Sequence, residues 1–262
     1  MNRVILDEIT KKDYKEIEEG IGRFLGSEMN TRRSQGLVFG LSGGIDSAVI
    51  AVLCAKFVRE KSLALIMPNS KITPTQDTDD AIKIVDDLRL EYKLIDIGFV
   101  YKEYSKYLEP NPLALGNLGA RIRSNILYYY ANARNFLVLG SSDKSEVLIG
   151  YFTKYGDGAA DLLPIASLYK TQIREFARFL NIPPSIVAKP SSPRLWEGHT
   201  AEGEIGLTYE EIDTILYCLF EKKLSVEETS KTAEISISNV DKIYQMHEKS
   251  EHKRMAPKPW TF

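Results

Sequence analysis

Cysteine is scarce in this sequence, and so are long apolar runs. Only two cysteines occur among 262 residues, Cys54 and Cys218. This scarcity excludes a disulfide scaffold and a zinc site with four cysteine ligands. No apolar run approaches the roughly 18 residues of a membrane-spanning helix. The first residues turn acidic at once instead of forming the apolar core of a signal peptide. We therefore expect a soluble, cytoplasmic protein without a membrane partner.

An excess of either charge is also absent. There are 34 Lys and Arg residues against 36 Asp and Glu residues, which gives a formal net charge of -2. A nearly neutral chain does not indicate a nucleic-acid partner. Apolar residues make up 44% and charged residues 27%, which is typical of globular proteins. The chain is long enough to bury a core without disulfides.

Short apolar runs alternate with segments of helical periodicity in the first 140 residues. The runs predict strands over 37–41, 63–67, 92–97 and 136–140. The periodic segments predict helices over 10–29, 48–58, 79–90 and 115–132. Strands that alternate with helices indicate an α/β protein with a doubly wound parallel sheet flanked by helices.

The character of the chain changes after residue 150. Helices are predicted over 168–180, 208–220 and 236–249. The segment 189–206 has no periodicity and is typical of a lid, a binding loop or a disordered stretch. We expect one domain over residues 1–262, with a helical N-terminal segment (1–35), an α/β core (36–187), and a lid loop with C-terminal helices (188–262).

The strongest local signal lies between the first predicted strand and the next helix. Small residues there allow a tight turn whose backbone N–H groups cradle an anion, and the following helix offers the positive end of its dipole. The pattern is neither a Walker loop nor a dinucleotide fingerprint. This predicted phosphate loop consists of Gly40, Leu41, Ser42, Gly43, Gly44, Ile45, Asp46 and Ser47.

Asp46 is unusual in such a loop, because a carboxylate repels phosphate unless a cation lies between them. Mg²⁺ binds through one or two carboxylates together with phosphate oxygens. Asp46 is therefore a predicted metal ligand. The alternative is a carboxylate that only caps the following helix. The complete string between a strand and a helix favours the metal site.

Three further motifs sharpen this interpretation. Residues 116–123 read GNLGARIR, residues 140–146 read GSSDKSE, and residues 150–164 read GYFTKYGDGAADLLP. Together with the phosphate loop they resemble the NAD synthetases of the pyrophosphate-loop ATPase superfamily, from about residue 37 to residue 253. The resemblance implies an adenine nucleotide alpha hydrolase-like, Rossmann-like fold with extra C-terminal helices.

The resemblance also implies an activity. Enzymes of this family adenylate the nicotinate carboxylate of deamido-NAD+ with ATP and then let a nitrogen nucleophile displace AMP. This is a ligase reaction that forms a carbon–nitrogen bond, the last step of NAD biosynthesis. Longer members carry an N-terminal glutaminase domain, for which we expect no room here, and neither cysteine lies in a nucleophile context. The chain is similar to the short, ammonia-dependent form.

Residue roles follow from the same resemblance. ATP would lie on the phosphate loop, and Asp46 and Glu146 would hold Mg²⁺, because strand ends at the switch point of an open sheet build one crevice. Asp46, Glu146 and Lys170 match the family's catalytic positions. Ser141, Lys170 and Ser192 match positions that contact ATP. Without the motifs, the sequence predicts Lys170 to be a solvent-facing lysine near a helix start and Glu146 to be a solvated acid on a loop or at a helix start.

The resemblance extends to the second substrate and to assembly. Deamido-NAD+ is anionic at its pyrophosphate and its carboxylate, so basic side chains suit it, whereas Asp161 suits a ribose hydroxyl or the ring cation. The family is typically a homodimer, for which the N-terminal helix and the helix over 115–132 offer a surface. Substrate positions of the family are matched by Arg121, Lys154, Asp161, His252 and Lys253.

Two alternatives remain open from the sequence. One is another pyrophosphate-loop enzyme, such as a GMP-synthetase-like amidating subunit or a tRNA-thiolating enzyme, although the latter usually brings extra cysteines or a basic RNA surface. The other is a nucleotide-binding module that kept the loop and lost the chemistry. The presence of both Asp46 and Glu146 argues against such a module.

Overall fold

A four-stranded parallel sheet forms the centre of the structure, a computed structural model that describes residues 2–192 and 198–260. The strands are β1 (Gly36–Gly40), β2 (Ser62–Ile66), β3 (Glu91–Leu94) and β4 (Phe136–Leu139). They lie in the order β3-β2-β1-β4, and every neighbouring pair is parallel.

Six helices accompany the sheet in the first half of the described chain, and three of them begin at a side-chain cap. Asp13 accepts hydrogen bonds from two first-turn amides, and Asn111 accepts one from Ala114 N at 2.9 Å. The helices are α1 (Arg3–Thr10), α2 (Tyr14–Thr31), α3 (Ile45–Phe57), α4 (Thr75–Leu88), α5 (Gly98–Ser105) and α6 (Pro112–Arg134).

Eight shorter helices follow β4 in the described residues, with a π-helical turn over Tyr217–Glu221. They are α7 (Lys144–Ile149), α8 (Lys170–Phe179), α9 (Pro184–Val187), α10 (Ala201–Ile205), α11 (Tyr209–Leu216), α12 (Val226–Ala233), α13 (Ile237–Lys249) and α14 (Glu251–Arg254).

The two faces of the sheet bury different helices. Leu37 and Phe39 point to the face covered by α2, α3, α4 and α8, whereas Val38 between them points to the face covered by α6. This alternation follows from the two-residue period of a strand. Both faces are buried, as parallel sheets require, because the crossover helices lie on both sides. The sequence prediction of a doubly wound sheet is therefore confirmed.

A third apolar cluster joins the two ends of the described chain. Ile5 and Ile9 of α1 are fully buried against α10, α11, α12 and α13. Asn2 N also donates to Ala233 O at 2.9 Å. The helix predicted over 10–29 is therefore wrong at its start. A separate helix ends at Thr10, and Asp13 caps a new one, so the N-terminal segment packs partly on the C-terminal helices.

Other boundaries also differ from the sequence prediction. The strand predicted over 92–97 ends at Leu94, and the short helices α5, α7, α9, α12 and α14 were not predicted. The segment 189–206 contains α10, so its reading as a structureless loop is wrong for that part. Residues 193–197 of this segment lie outside the described residues. Among the described residues, no helix is both long and apolar enough to cross a membrane.

The strand order creates a switch point between β1 and β4. From β1 the chain moves outward to β2 and β3, and then α6 returns it to β4 on the other side of β1. In open sheets of this kind a crevice forms beyond the carboxyl ends of the strands at that point. The loops after β1 and β4 carry the phosphate loop and the motif over 140–146, so the fold brings these two motifs together.

Candidate active site

The phosphate loop is folded into a compact turn after β1. Ser47 Oγ donates to Gly44 O at 3.0 Å and accepts from Ser42 N at 3.2 Å. Gly43 has φ +77°, and a Cβ there would lie 2.1 Å from Asp77 O, so only glycine fits. No side chain caps α3 at Gly44. The first-turn amides of α3 are therefore left for an anionic ligand.

Four charged side chains converge beside this loop. Lys170 Nζ lies 2.9 Å from both carboxylate oxygens of Asp46, 2.7 Å from Asp143 Oδ2 and 2.9 Å from Glu146 Oε1. Lys170 and Asp143 are completely buried, whereas Asp46 and Glu146 each keep 20% of their side-chain surface exposed. The buried pair therefore supports two carboxylates that reach the surface of a cavity.

The charges of this cluster shift one another's pKa values. Burial lowers the pKa of Lys170, but the three carboxylates outweigh it and hold that pKa well above its usual value. Burial, together with the nearby charge of Asp143, raises the pKa of Glu146. Three carboxylates face one ammonium, and an added cation would relieve their mutual repulsion.

A second layer of hydrogen bonds fixes the start of α8, which carries Lys170. Lys170 N donates to Ser145 Oγ at 2.9 Å, and Ser145 Oγ in turn donates to Asp213 Oδ1. Asp213 Oδ2 accepts from Thr171 N at 2.8 Å. Asp213 belongs to α11, so a C-terminal helix holds both α7 and α8 in place.

A cavity of about 570 Å³ opens over the strand ends. Its wall includes the phosphate loop, Met67 at the end of β2, and Arg123 of α6. It continues along the loop after β4, the segment 150–159 and the residues 189–192. The volume lies within the range of ligand-binding clefts. The combination of an open helix N-terminus and a cavity is suited to a nucleotide.

Most residues predicted for ATP and metal reach this cavity. Gly43 contributes its carbonyl to a neighbouring lysine instead, and Lys170 lies behind the wall. Without the motif, the sequence predicts that Lys170 faces solvent. The complete burial of this side chain shows that this prediction is wrong. Glu146 lies in the first turn of α7, not on a loop. The predicted residues in the wall are Gly40, Leu41, Ser42, Gly44, Ile45, Asp46, Ser47, Ser141, Glu146 and Ser192.

The residues predicted for deamido-NAD+ divide into two groups. Arg121 Nη2 donates to Lys154 O at 3.2 Å, and Lys154 Nζ donates to His252 O. Lys253 Nζ donates to Gly150 O at 2.7 Å and borders the cavity. These four basic residues form one strip beside the cavity. Asp161 is apart from it and accepts from Val138 N at 2.8 Å.

Sequence reasoning missed several residues that the structure places here. Asp143 was quoted only as part of a motif, yet its Oδ1 caps α7 by accepting from Glu146 N at 2.8 Å. An Asp three residues before a Glu is a helix-start signal that would have found it. His199 has Nε2 2.7 Å from Glu204 Oε2 and 3.2 Å from Tyr151 Oη, and no local sequence pattern indicates these partners.

Fold and site together define an α/β nucleotide-binding protein with the adenine nucleotide alpha hydrolase-like fold. The chain belongs to the NAD synthase family, whose model matches residues 17–257. It is 46% identical over 258 residues to an NH3-dependent NAD+ synthetase of Hyperthermus butylicus, covering 97% of this chain and 94% of that one. Members of this family are ligases that form a carbon–nitrogen bond and use ATP as co-substrate.

Solved structures agree with this assignment. The NMN synthetase of Francisella tularensis superposes with a TM-score of 0.84 at 34% identity, covering 96% of this chain and 100% of that one. The NH3-dependent NAD synthetase of Campylobacter jejuni, in complex with nitrate, superposes with a TM-score of 0.82 at 33% identity, covering 95% and 100%. The predicted family and fold are therefore confirmed.

Proposed function

We propose that this chain amidates deamido-NAD+ to NAD+, with ammonia as nitrogen donor and ATP as co-substrate, and releases AMP and pyrophosphate. Family membership supports the reaction. One observation supports the location that we propose for this reaction in the molecule. The phosphate loop and the carboxylates of Asp46 and Glu146 meet at the wall of a single cavity, and the buried ammonium of Lys170 holds both carboxylates from behind that wall.

The proposed chemistry explains why such a wall is needed. A carboxylate does not react with ammonia unaided, because its oxide is a poor leaving group, and adenylation by ATP removes this obstacle. The phosphate loop and the first turn of α3 would hold the triphosphate. Lys170 would keep Asp46 and Glu146 in a fixed orientation. The hydroxyls of Ser141 and Ser192, both in the cavity wall, would contact ATP.

Mg²⁺ is the proposed cofactor, and the residues present fit it. Asp46 and Glu146 both present carboxylate oxygens to the cavity. No group of three or more His, Cys, Asp or Glu among the described residues could hold a metal ion by itself. That suits an ion that completes its coordination with phosphate oxygens and water. When bound, Mg²⁺ would neutralise charge that develops on the departing pyrophosphate.

The basic strip is the proposed binding surface for deamido-NAD+. Arg121, Lys154 and Lys253 supply positive charge beside the cavity, and His252 is connected to Lys154. These groups suit the pyrophosphate and the carboxylate of the dinucleotide. Asp161 already accepts one backbone amide through Oδ2. Its other oxygen is suited to a ribose hydroxyl or to the positively charged ring, as predicted from sequence.

A homodimer is the proposed assembly. Edge strand β3, helix α5, the turn after it and helix α6 carry large apolar side chains that are exposed in the single chain. We call these residues the α5–α6 patch, and we propose them as the interaction surface, because large exposed apolar patches mark such surfaces. A cytoplasmic location stays a prediction. The patch consists of Leu94, Phe99, Val100, Tyr104, Tyr107, Leu108, Leu113 and Tyr129.

A second candidate substrate follows from the structural likeness to the NMN synthetase of Francisella tularensis. The same amidation, with nicotinate mononucleotide in place of deamido-NAD+, would produce nicotinamide mononucleotide (NMN). The higher identities, 41–48%, are to NH3-dependent NAD+ synthetases, and they favour the dinucleotide.

The test is an assay of product formation by the purified chain with ATP and Mg²⁺. We expect NAD+ from deamido-NAD+ with ammonium, and none with ammonia-free glutamine. Omitting Mg²⁺ in the presence of a chelator should stop the reaction. We also expect a lower kcat/KM for nicotinate mononucleotide than for deamido-NAD+. Equal rates with pure glutamine, or a preference for the mononucleotide, would contradict the proposal.

A further inference from the structure

Lys189 connects three parts of the structure beside the phosphate loop. Its Nζ lies 2.9 Å from Asp77 Oδ1 and 2.5 Å from Asp80 Oδ2, both on α4. The same ammonium donates to Gly43 O at 3.1 Å. Lys189 is also the first residue of the segment 189–206, whose next residues border the cavity. One side chain therefore links α4, the phosphate loop and the base of this segment.

The position of the two carboxylates creates an electrostatic problem for a nucleotide site. Asp77 borders the cavity in the first turn of α4, and its own carbonyl packs against Gly43. Only 8% of the Asp77 side chain and 15% of the Asp80 side chain are exposed, so water screens them weakly. Two such anions beside the phosphate loop would oppose the binding of a triphosphate.

The ammonium of Lys189 reduces this repulsion. Burial lowers the pKa of Lys189, but its hydrogen bonds to Asp80 and Asp77 raise that pKa above the usual value, so the side chain stays charged. The bond to Gly43 O also orients the Gly43–Gly44 peptide within the turn. Charge compensation and loop geometry therefore depend on the same nitrogen.

We propose that Lys189 is a positioning residue for ATP, because its ammonium offsets one of the two negative charges of the α4 carboxylates beside the phosphate loop and donates to the Gly43 carbonyl. The inference rests on the proposed function, in which the phosphate loop binds the triphosphate. It assigns Lys189 no contact with the reacting atoms. Its effect is on ATP affinity, and deamido-NAD+ on the basic strip is affected little.

The test compares Lys189→Met with a matched control. Lys56→Met removes a lysine from an ion pair with Glu18 (2.6 Å) that has no part in the cavity wall described above. We expect Lys189→Met to raise the KM for ATP by about tenfold, which corresponds to about 1.4 kcal/mol. The KM for deamido-NAD+ should change by less than about twofold, and Lys56→Met should change neither. Lys189→Arg keeps the charge and should stay close to wild type.

A second substitution separates charge from shape. In the variant Lys189→Met/Asp80→Asn one of the two α4 carboxylates is neutral, and we expect the KM for ATP to recover by about threefold relative to Lys189→Met. A residue that only packs would show no recovery. An unchanged KM in Lys189→Met, or no recovery in the double variant, would overturn the proposal.

Two further measurements separate a change in ATP affinity from unfolding and from a loss of turnover. Thermal unfolding of each variant establishes that it is folded at the assay temperature. Calorimetric titration with ATP measures the same affinity without turnover. If the wild-type chain made no NAD+, the proposed function would fail, whereas the ATP titrations would still decide the role of Lys189.

Discussion

The buried charge of Lys170 contributes more to the candidate active site than to the stability of the fold. A fully buried ammonium loses its hydration, and its three carboxylate partners recover that loss only through close geometry. Removing one partner of such a group costs about 3–5 kcal/mol. The cluster is maintained at the edge of a cavity, where Asp46 and Glu146 can still meet a ligand.

Asp213 gives a pH-dependent prediction at the residue scale. Burial raises its pKa from the ordinary value of 3.8 to about 7, although Ser145 and Thr171 donate hydrogen bonds to it. The folded state therefore holds one more proton than the unfolded state between those values. The contribution of Asp213 to stability is then largest at low pH and decreases as pH rises towards 7.

The check is chemical unfolding of the wild type and Asp213→Asn at pH 5, 6, 7 and 8. The asparagine keeps the shape and does not titrate. We expect the wild-type free energy of unfolding, relative to the variant, to fall by about 1.4 kcal/mol per pH unit between pH 5 and pH 7. It should level off above pH 7. A difference that is constant across this range would contradict the assignment.

The residues that could be predicted are those that local patterns reveal. Asp46 lies in a continuous string, and Glu146 lies in a second one, so both were found and both border the cavity. Lys189 and Asp213 were not found, because their partners are distant in sequence and local spacing carries no signal for them. Burial of Lys170 could not be predicted either, since three separate segments surround it.

At the scale of elements, the buried strands were easier to predict than the short helices. A parallel strand covered on both faces is a continuous apolar run, and β1, β2 and β4 each begin or end within one residue of the prediction. Helices of four to eight residues are too short for a periodic pattern to develop. Their caps, such as Asp143 and Ser225, were the available signal.

The base of the segment 189–206 is more ordered than its composition indicated. Ala201 N donates to Ser191 O at 2.9 Å, which closes the segment on itself. Thr200 caps α10, and Glu204 of that helix accepts a hydrogen bond from Tyr151 Oη at 2.5 Å. The two ends of the segment are therefore anchored, one through Lys189 on α4 and the other through Glu204 on Tyr151. Such a segment is suited to cover the cavity, as predicted from the sequence.

Limited proteolysis tests this covering role. Water can hydrolyse the adenylated nicotinate before ammonia reaches it. We therefore expect the segment 189–206 to close over the cavity when the substrates bind. We expect ATP, Mg²⁺ and deamido-NAD+ together to slow cleavage between residues 189 and 206 by about tenfold, because cleavage follows the population of the open form. Cleavage in the exposed turn at Lys222 and Lys223, which has no part in the cavity wall, serves as the internal control. Equal cleavage of the segment with and without saturating ligands would show that it is passive.

At the scale of the whole molecule, the C-terminal helices are part of the site's support. Helix α11 packs in one cluster with α1 and also holds the start of α8 through Asp213. The N-terminal helix α1 thus contributes to the surroundings of Lys170 from the far end of the sequence. The sequence predicts the C-terminal helices only as additions to the α/β core. Its patterns show which residues are apolar, but they do not show against which other residues each one is buried.

The α5–α6 patch gives the last prediction, on assembly. Tyr107 has 84% and Phe99 has 73% of its surface exposed, although both are large and aromatic. The N-terminal helices expose less apolar surface, with Val4 and Phe24 as their large exposed apolar residues. The patch lies mainly on β3, α5 and the turn after it, and of the two surfaces predicted from sequence only the helix over 115–132 contributes to it, through Tyr129. Two copies that meet through the same patch would form a closed two-fold dimer.

Light scattering coupled to size-exclusion chromatography measures this directly. We expect twice the chain mass for the wild type and a single chain mass for Phe99→Asp/Tyr107→Asp at micromolar concentration. The two added carboxylates of each copy, four in the dimer, oppose burial of the patch by several kcal/mol. Val4→Asp places the same change on an exposed apolar residue outside the patch and should leave the dimer intact. A dimer that survives the double substitution would assign the interface elsewhere, because an interface centred on these rings could not bury two added charges.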